Sequence, residues 1–211
     1  MRALVHGFWS PRDNHLFTDK MVALAKEIAS ENQPVMLVDA DIESPLLIDL
    51  FPEITGQRED VIGLTHFLAD PQKVPHKARS PRYVGDALIK TSDNLFVLVT
   101  TTSPDLLVNT ICDGSSVDRF KYLAENLREV SRQRNIRHAI LRLGRGLSDQ
   151  AIVWWSELDQ LIICQPDGEI NPSWAEMAKL AASALEPHQT AHLSAPEKLE
   201  AGVIVNCLQN K

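Results

Sequence analysis

Short apolar runs alternate along the chain with longer amphipathic stretches. The runs are Ala3–Val5, Val35–Val38 (VMLV, entered through Pro34), Leu95–Val99 (LFVLV), Ala139–Leu141, Leu161–Cys164 (LIIC) and Val203–Val205. They are apolar at every position rather than at every second one, which fits strands covered on both faces, as in parallel sheets. Between them apolar residues recur with the 3.6-residue period of a helix. One such stretch spans Leu16 to Ser30, with Phe17, Met21, Leu24, Ala25 and Ile28 on one face. Another spans Val117 to Arg132, with Phe120, Leu123, Leu127 and Val130. Asp149–Glu157 and Pro172–Leu185 are two more. This alternation predicts an α/β fold: a doubly wound, mostly parallel sheet flanked by helices, with ligands expected beyond the carboxyl ends of the strands.

Residues 52–94 are less regular. Gly63–Ala69 (GLTHFLA) suggests a short helix, and Pro71–Arg82, with three prolines and several charges, reads as a loop. No internal repeat or low-complexity segment interrupts the pattern. Residues 1–211 are therefore read as a single domain.

Composition narrows the function classes. Hydrophobic residues make up 44 % and charged residues 23 %, as expected of a folded chain. No run approaches the ~20 apolar residues of a transmembrane helix. The start, MRALVHGFWSPRDN, is too interrupted for a signal peptide. Cys112, Cys164 and Cys207 form no C-x-x-C motif, which suits a reducing compartment and three small buried hydrophobes. The net charge of −7 argues against an electrostatic nucleic-acid binder. Charge is unevenly spread, however. Residues 39–60 hold seven acids and one base, and residues 119–145 hold eight bases and two acids. The basic stretch runs off a helix C-terminus, where cations are favoured. It could also form a patch for an acidic partner.

Several segments, in order, resemble the MinD/ParA group of P-loop ATPases, the family with a deviant Walker A motif. Its members include relatives that position flagella, pili and cellulose synthase. The segments are Val35-Met36-Leu37-Val38-Asp39-Ala40-Asp41 after the first helix, Gly63–Leu68, Asp93–Leu98 followed by Ser103–Leu107, His138–Asp149 into Leu158–Asp167, and Gly202–Asn206. The resemblance covers nearly the whole chain and implies a P-loop NTPase-like sheet. It also implies the cytoplasm of a bacterium and a tendency to form a homodimer.

The chain departs from that family in its catalytic motifs. The family loop reads K-G-G-x-G-K-[ST], and the stretch that matches it here is Arg12-Asp13-Asn14-His15-Leu16-Phe17-Thr18. No glycine occurs between Gly7 and Gly56. A phosphate cradle needs glycine so that backbone N–H groups can converge on the anion, and a lysine to neutralise its charge. The Walker B strand should end on an aspartate near Mg²⁺, but here it ends Ile140-Leu141-Arg142. A guanidinium there repels a metal ion. Phe8, Trp9, Leu16 and Phe17 are the bulky residues nearest the mouth of the sheet, and at least one of them is expected to pack over the position of the family's phosphates.

Some positions of the family survive, and they define a vestigial nucleotide site of Arg12, Thr18, Asp39, Asp41 and Asn206. Asp39 and Asp41 match acids that the family uses near Mg²⁺ and the attacking water, and Asn206 matches its adenine-contacting asparagine. The competing reading of the aspartates is structural: they cap the next turn or pair with Arg12 or Arg142. The chain ends at Lys211 without a recognisable C-terminal amphipathic helix of the MinD kind, so no direct membrane insertion is expected. The seven histidines lack metal-ligand spacing, so no metal site is expected, nor any cofactor. Trp154 and Trp155 are adjacent on an expected helix, about 100° apart. One reads as core and the other, with Arg145 nearby, as an interaction anchor. Together these features point to a catalytically inactive member of the fold serving as a regulatory or interaction subunit. Its protein partner would be an intact ATPase of this kind or a membrane-associated machine. The alternatives are an ATP-binding protein or weak ATPase in which Arg12 and Arg142 replace the lysines, and a nucleic-acid-binding partition accessory.

Overall fold

The computed structural model describes residues 3–10, 15–55, 61–68, 84–100, 116–144, 154–155, 157–164, 172–185, 190–194 and 200. The expected strand Ala3–Val5 extends through β1 (Leu4–Trp9), and the first amphipathic stretch is helix α1 (His15–Ser30). Strand β2 (Val35–Asp39) is followed by three short helices, α2 (Leu47–Leu50), α3 (Pro52–Thr55) and α4 (Leu64–Leu68). Then come β3 (Ile89–Lys90), β4 (Leu95–Leu98), α5 (Ser116–Gln133), β5 (His138–Arg142), β6 (Gln160–Cys164), α6 (Pro172–Ser183) and β7 (Thr190–Ser194). Strands β3 and β7 and helices α2 and α3 were not legible in the apolar pattern. The expected strand at Val203–Val205 and the loop Pro71–Arg82 lie outside the described residues.

The strands form one sheet in the order β3-β4-β2-β5-β1-β6-β7. All neighbours are parallel except β3, which runs antiparallel to β4. Parallel neighbours require crossovers, and the helices supply the covering layers on the two faces. On one face α1 lays Phe17, Met21, Leu24, Ala25 and Ile28 against Val35, Leu37, Ile140 and Ile162. On the other, α5 buries Phe120, Leu123, Leu127 and Val130 with Met36, Val38, Ala139 and Leu141. Both amphipathic faces read from the sequence are thus the faces that pack.

Helices α1 and α5 end alike. Asn32 and Asn135 take positive φ (59° and 55°), and the next N–H reaches back five residues, Gln33 to Ile28 and Ile136 to Ser131. Asparagine tolerates this left-handed turn better than most residues, so it stops the helix without glycine. The two turns meet where the Arg137 N–H donates to the Pro34 carbonyl (3.0 Å), aligning the starts of β2 and β5. Gly7 on β1 has a packing reason: a Cβ there would lie 2.5 Å from Leu158 and 2.8 Å from Leu143.

One polar cluster sits inside the sheet. His6, His138 and Gln160 are buried on three adjacent strands, on the face that α1 covers. His6 Nδ1 lies 2.7 Å from Gln160 Oε1 and its Nε2 lies 3.1 Å from His138 Nδ1. Gln160 Oε1 only accepts, so His6 donates to it and accepts from His138. That pattern needs the His6 ring neutral, because its Nε2 must accept. Burial, with the neighbouring His138 adding to it, lowers His6 to about 3; burial, with Arg137 adding to it, also lowers His138. The unfolded chain therefore takes up protons near pH 6.5 that the folded chain refuses. Stability is fully present above that pH and is lost as pH falls below it, at up to ~1.4 kcal/mol per pH unit for each such histidine. Urea unfolding between pH 7 and 5 is expected to show this loss, and His6→Leu to flatten it while lowering stability at pH 7. A wild-type stability that stays level from pH 7 to 5 would contradict the assignment.

Candidate functional site

At the carboxyl end of the sheet, β2 and β5 pair in parallel with Asp39 directly opposite Arg142. Side chains alternate across a strand, so both residues point to the α1 face, with Leu37 and Ile140 behind them. The backbone continues the ladder here, the Ala40 N–H donating to the Arg142 carbonyl (2.9 Å). Arg142 is only 6 % exposed and Asp39 is fully buried.

The guanidinium is surrounded by oxygen. Arg142 Nη1 donates to Asp39 Oδ1 (2.9 Å) and to the Ser44 carbonyl (2.8 Å) and lies 3.2 Å from Asp41 Oδ2. Arg142 Nε donates to Thr18 Oγ1 (3.1 Å), in the first turn of α1. Each carboxyl group also binds backbone. Asp39 Oδ2 accepts from the N–H groups of Leu46 (2.8 Å) and Leu47 (2.9 Å), where α2 begins. Asp41 Oδ1 accepts from the Ser44 N–H (3.1 Å). Thr100 Oγ1 donates to the Asp39 carbonyl (2.6 Å) and ties β2 to the end of β4. Burial pushes the Asp39 carboxyl up from the ordinary carboxylate range. The Arg142 guanidinium and the N–H groups of Leu47 and Leu46 pull against that rise.

The structure thus brings together Thr18, Asp39 and Asp41 from the sequence-derived set. Both forms of the structural reading of the aspartates hold at once: they cap the following turn and they pair with Arg142. Ser44 and Thr100 were missed. Ser44 contributes a backbone carbonyl, which no residue type announces, and Thr100 follows an apolar run as any strand-ending hydroxyl could. Arg12, Arg145 and Asn206 lie outside the described residues. Phe8, Trp9 and Phe17 are buried; Phe8 and Phe17 join the α1-side cluster, whereas Trp9 packs on the opposite face.

Magnesium does not fit these residues as they stand. The ion needs oxygen ligands at about 2.0–2.1 Å in near-octahedral geometry. Here the oxygens of Thr18, Asp39, Asp41 and Ser44 already surround a cationic nitrogen group at 2.8–3.2 Å. Among the described residues no group of three or more His, Cys, Asp or Glu could hold a metal ion.

The expected interaction anchor needs correction. Trp154 is 1 % and Trp155 3 % exposed, so both are core and neither is offered to a partner. Trp154 stacks edge-on against Phe120 of α5 (5.7 Å) and Trp155 edge-on against Trp9 (5.6 Å). Adjacent residues can both be buried because both pack into the α5-side core, against aromatics from two different elements. The basic stretch is likewise partly committed within the chain. Arg128 binds Glu157 (2.6 Å), Arg132 binds Glu129 (2.6 Å), and Arg142 meets the acids of the 39–60 stretch. Cys164 is buried and its thiol is pushed up by burial, as fits a small core residue.

A plasmid partition protein from Borrelia burgdorferi superposes with a TM-score of 0.66, covering 99 % of this chain and 87 % of its own at 14 % identity. The chain has the fold of the MinD/ParA-type ATPases. The cell division ATPase MinD of Pyrococcus furiosus gives a TM-score of 0.63 at 16 % identity, covering 92 % of this chain and 70 % of that one. Cobyrinic acid a,c-diamide synthase from Mycobacterium smegmatis, with bound ATP analog and magnesium, gives 0.66 at 10 % identity over 99 % and 80 %. No family model and no curated protein sequence matches the chain. Among the described residues no helix is long and apolar enough to cross a membrane.

The aromatic packing makes one expectation definite. Trp154→Ala should cost ~3–5 kcal/mol of folding stability by opening a cavity beside Phe120. Denaturant unfolding checks the loss. An equally stable variant that has lost only a binding partner would restore the anchor reading.

Proposed function

We propose that this protein is a catalytically inactive relative of the MinD/ParA-type ATPases that works as a regulatory or interaction subunit. The observation that carries this reading is Arg142, seated among the oxygens of Thr18, Asp39 and Asp41. Those are the positions that the resemblance assigns to Mg²⁺ and the attacking water. The lack of glycine from Phe8 to Thr55, which covers the stretch aligned with the phosphate loop, supports it from the sequence. A P-loop ATPase neutralises phosphate charge with a lysine and a metal ion. In this chain the matching lysine position is Phe17, which is buried in the core.

The subunit would act on a protein partner, either an intact ATPase of this kind or a membrane-associated machine in a bacterial cytoplasm, or on a second copy of itself. Family dimers use nucleotide at their interface; association here would proceed without it. The rival nucleotide-binding reading needs Arg142 for phosphate, but its Nη1 and Nε already donate to carboxyl, carbonyl and hydroxyl oxygens. The nucleic-acid reading needs a free basic stretch, and Arg128, Arg132 and Arg142 are paired.

Wild-type protein is expected to show no Mg²⁺-dependent ATP hydrolysis above background. A fluorescent ATP analogue should give the same weak or absent signal with and without Mg²⁺. Turnover that Asp41→Ala abolishes would end this reading, because it would reveal a working site built on a surviving acid. Sedimentation velocity without nucleotide, alone and with the candidate ATPase, reads the association directly.

A further inference from the structure

Arg142 does more than exclude a metal ion. Its contacts come from α1 (Thr18), the end of β2 (Asp39) and the connection to α2 (Asp41 and Ser44). Each carboxyl that it touches uses its second oxygen on that connection, at the N–H groups of Ser44, Leu46 and Leu47. Helix α2 has no side-chain cap from its own N-cap residue, Leu46, so Asp39 supplies that role from a distance. The cation therefore organises the connection through its two acids as well as by direct contact. Removing it would take a shared cation away from two buried carboxyl groups, a hydroxyl and a carbonyl. Hard oxygen donors of that kind suit Mg²⁺, Mn²⁺ and Ca²⁺.

We propose that Arg142 is this chain's own resident cation: it holds residues 39–47 in one conformation without nucleotide or metal, over a cage of Thr18, Asp39, Asp41 and Ser44 oxygens that takes a divalent cation once the guanidinium is removed. This rests on the proposed function only in treating those residues as the vestige of a cation site.

The test uses the full chain without nucleotide, as wild type, Arg142→Ala, Arg142→Lys and Arg142→Ala combined with Asp41→Asn. Two quantities are read: amide hydrogen exchange at Leu46 and Leu47, and binding of Mn²⁺ by electron paramagnetic resonance. Wild type should protect both amides and leave Mn²⁺ free. Arg142→Ala should raise exchange at these amides by ~10-fold or more, since the two carboxyl groups lose the guanidinium that they share. It should also bind Mn²⁺, with part of the protection restored, and Asp41→Asn should abolish that binding. Arg142→Lys keeps one charge but cannot reach Thr18 and Asp39 together, so it should give intermediate protection; it carries the test if the alanine variant does not fold.

Unchanged exchange at Leu46 and Leu47 in the folded variants would overturn the lock. A folded Arg142→Ala protein that leaves Mn²⁺ free would overturn the cation cage. Wild-type protein binding Mn²⁺ through Asp41 would overturn both. None of these readouts measures ATP turnover, so failure here is distinguishable from failure of the proposed function.

Discussion

The Arg142–Asp39 pair exists because two strands are in register. β2 and β5 place the residues opposite each other at the carboxyl end of a sheet that is covered on both faces. A carboxyl group with no access to water must be compensated, and an unpaired one costs several kcal/mol. Asp39 meets that requirement with the Arg142 guanidinium and two backbone N–H groups. The path of residues 40–47 is a consequence. The chain leaves β2, turns so that Ser44 can offer its carbonyl to Arg142 and its N–H to Asp41, and enters α2 beneath Asp39. One ion pair thereby sets the conformation of the loop where ligands of this topology ordinarily bind.

The opposite end of the same face solves the same problem without charge. His6, His138 and Gln160 form a neutral hydrogen-bonded chain across β5, β1 and β6. The α1 side of the sheet is thus an apolar layer with a neutral polar cluster toward the amino ends of the strands and an ionic one at the carboxyl ends. On the α5 side aromatics pack edge-on in pairs, Trp9 with Trp155 and Phe120 with Trp154. Burying those aromatics stabilises the fold, and removing one partner of the buried ion pair would leave an uncompensated charge.

Similarity to MinD, to a plasmid partition protein and to cobyrinic acid a,c-diamide synthase at 10–16 % identity establishes a shared fold. Function resides in side chains grafted on that fold. In this chain the side chain that decides the site is an arginine at the end of β5, and its partners are the acids that the resemblance singles out.

Much of this could be read from residue order alone. Fully apolar runs identified the inner strands, and the 3.6-residue period identified α1 and α5 and the faces they bury, because burial on two faces and on one stripe impose different periodicities. The edge strands β3 and β7 were invisible, since a two-residue strand and a polar one (TAHLS) leave no periodic trace. The identities of Thr18, Asp39, Asp41 and Arg142 were also legible. What tertiary structure alone decided was that they touch. Thr18 and Arg142 are 124 residues apart, and only the β5–β2 register and the seating of α1 bring them to 3.1 Å. The same holds for Trp154 and Trp155. Helical geometry separates their directions, but an aromatic core with partners from β1 and α5 accepts both, and no local rule reveals what stands opposite a residue in space.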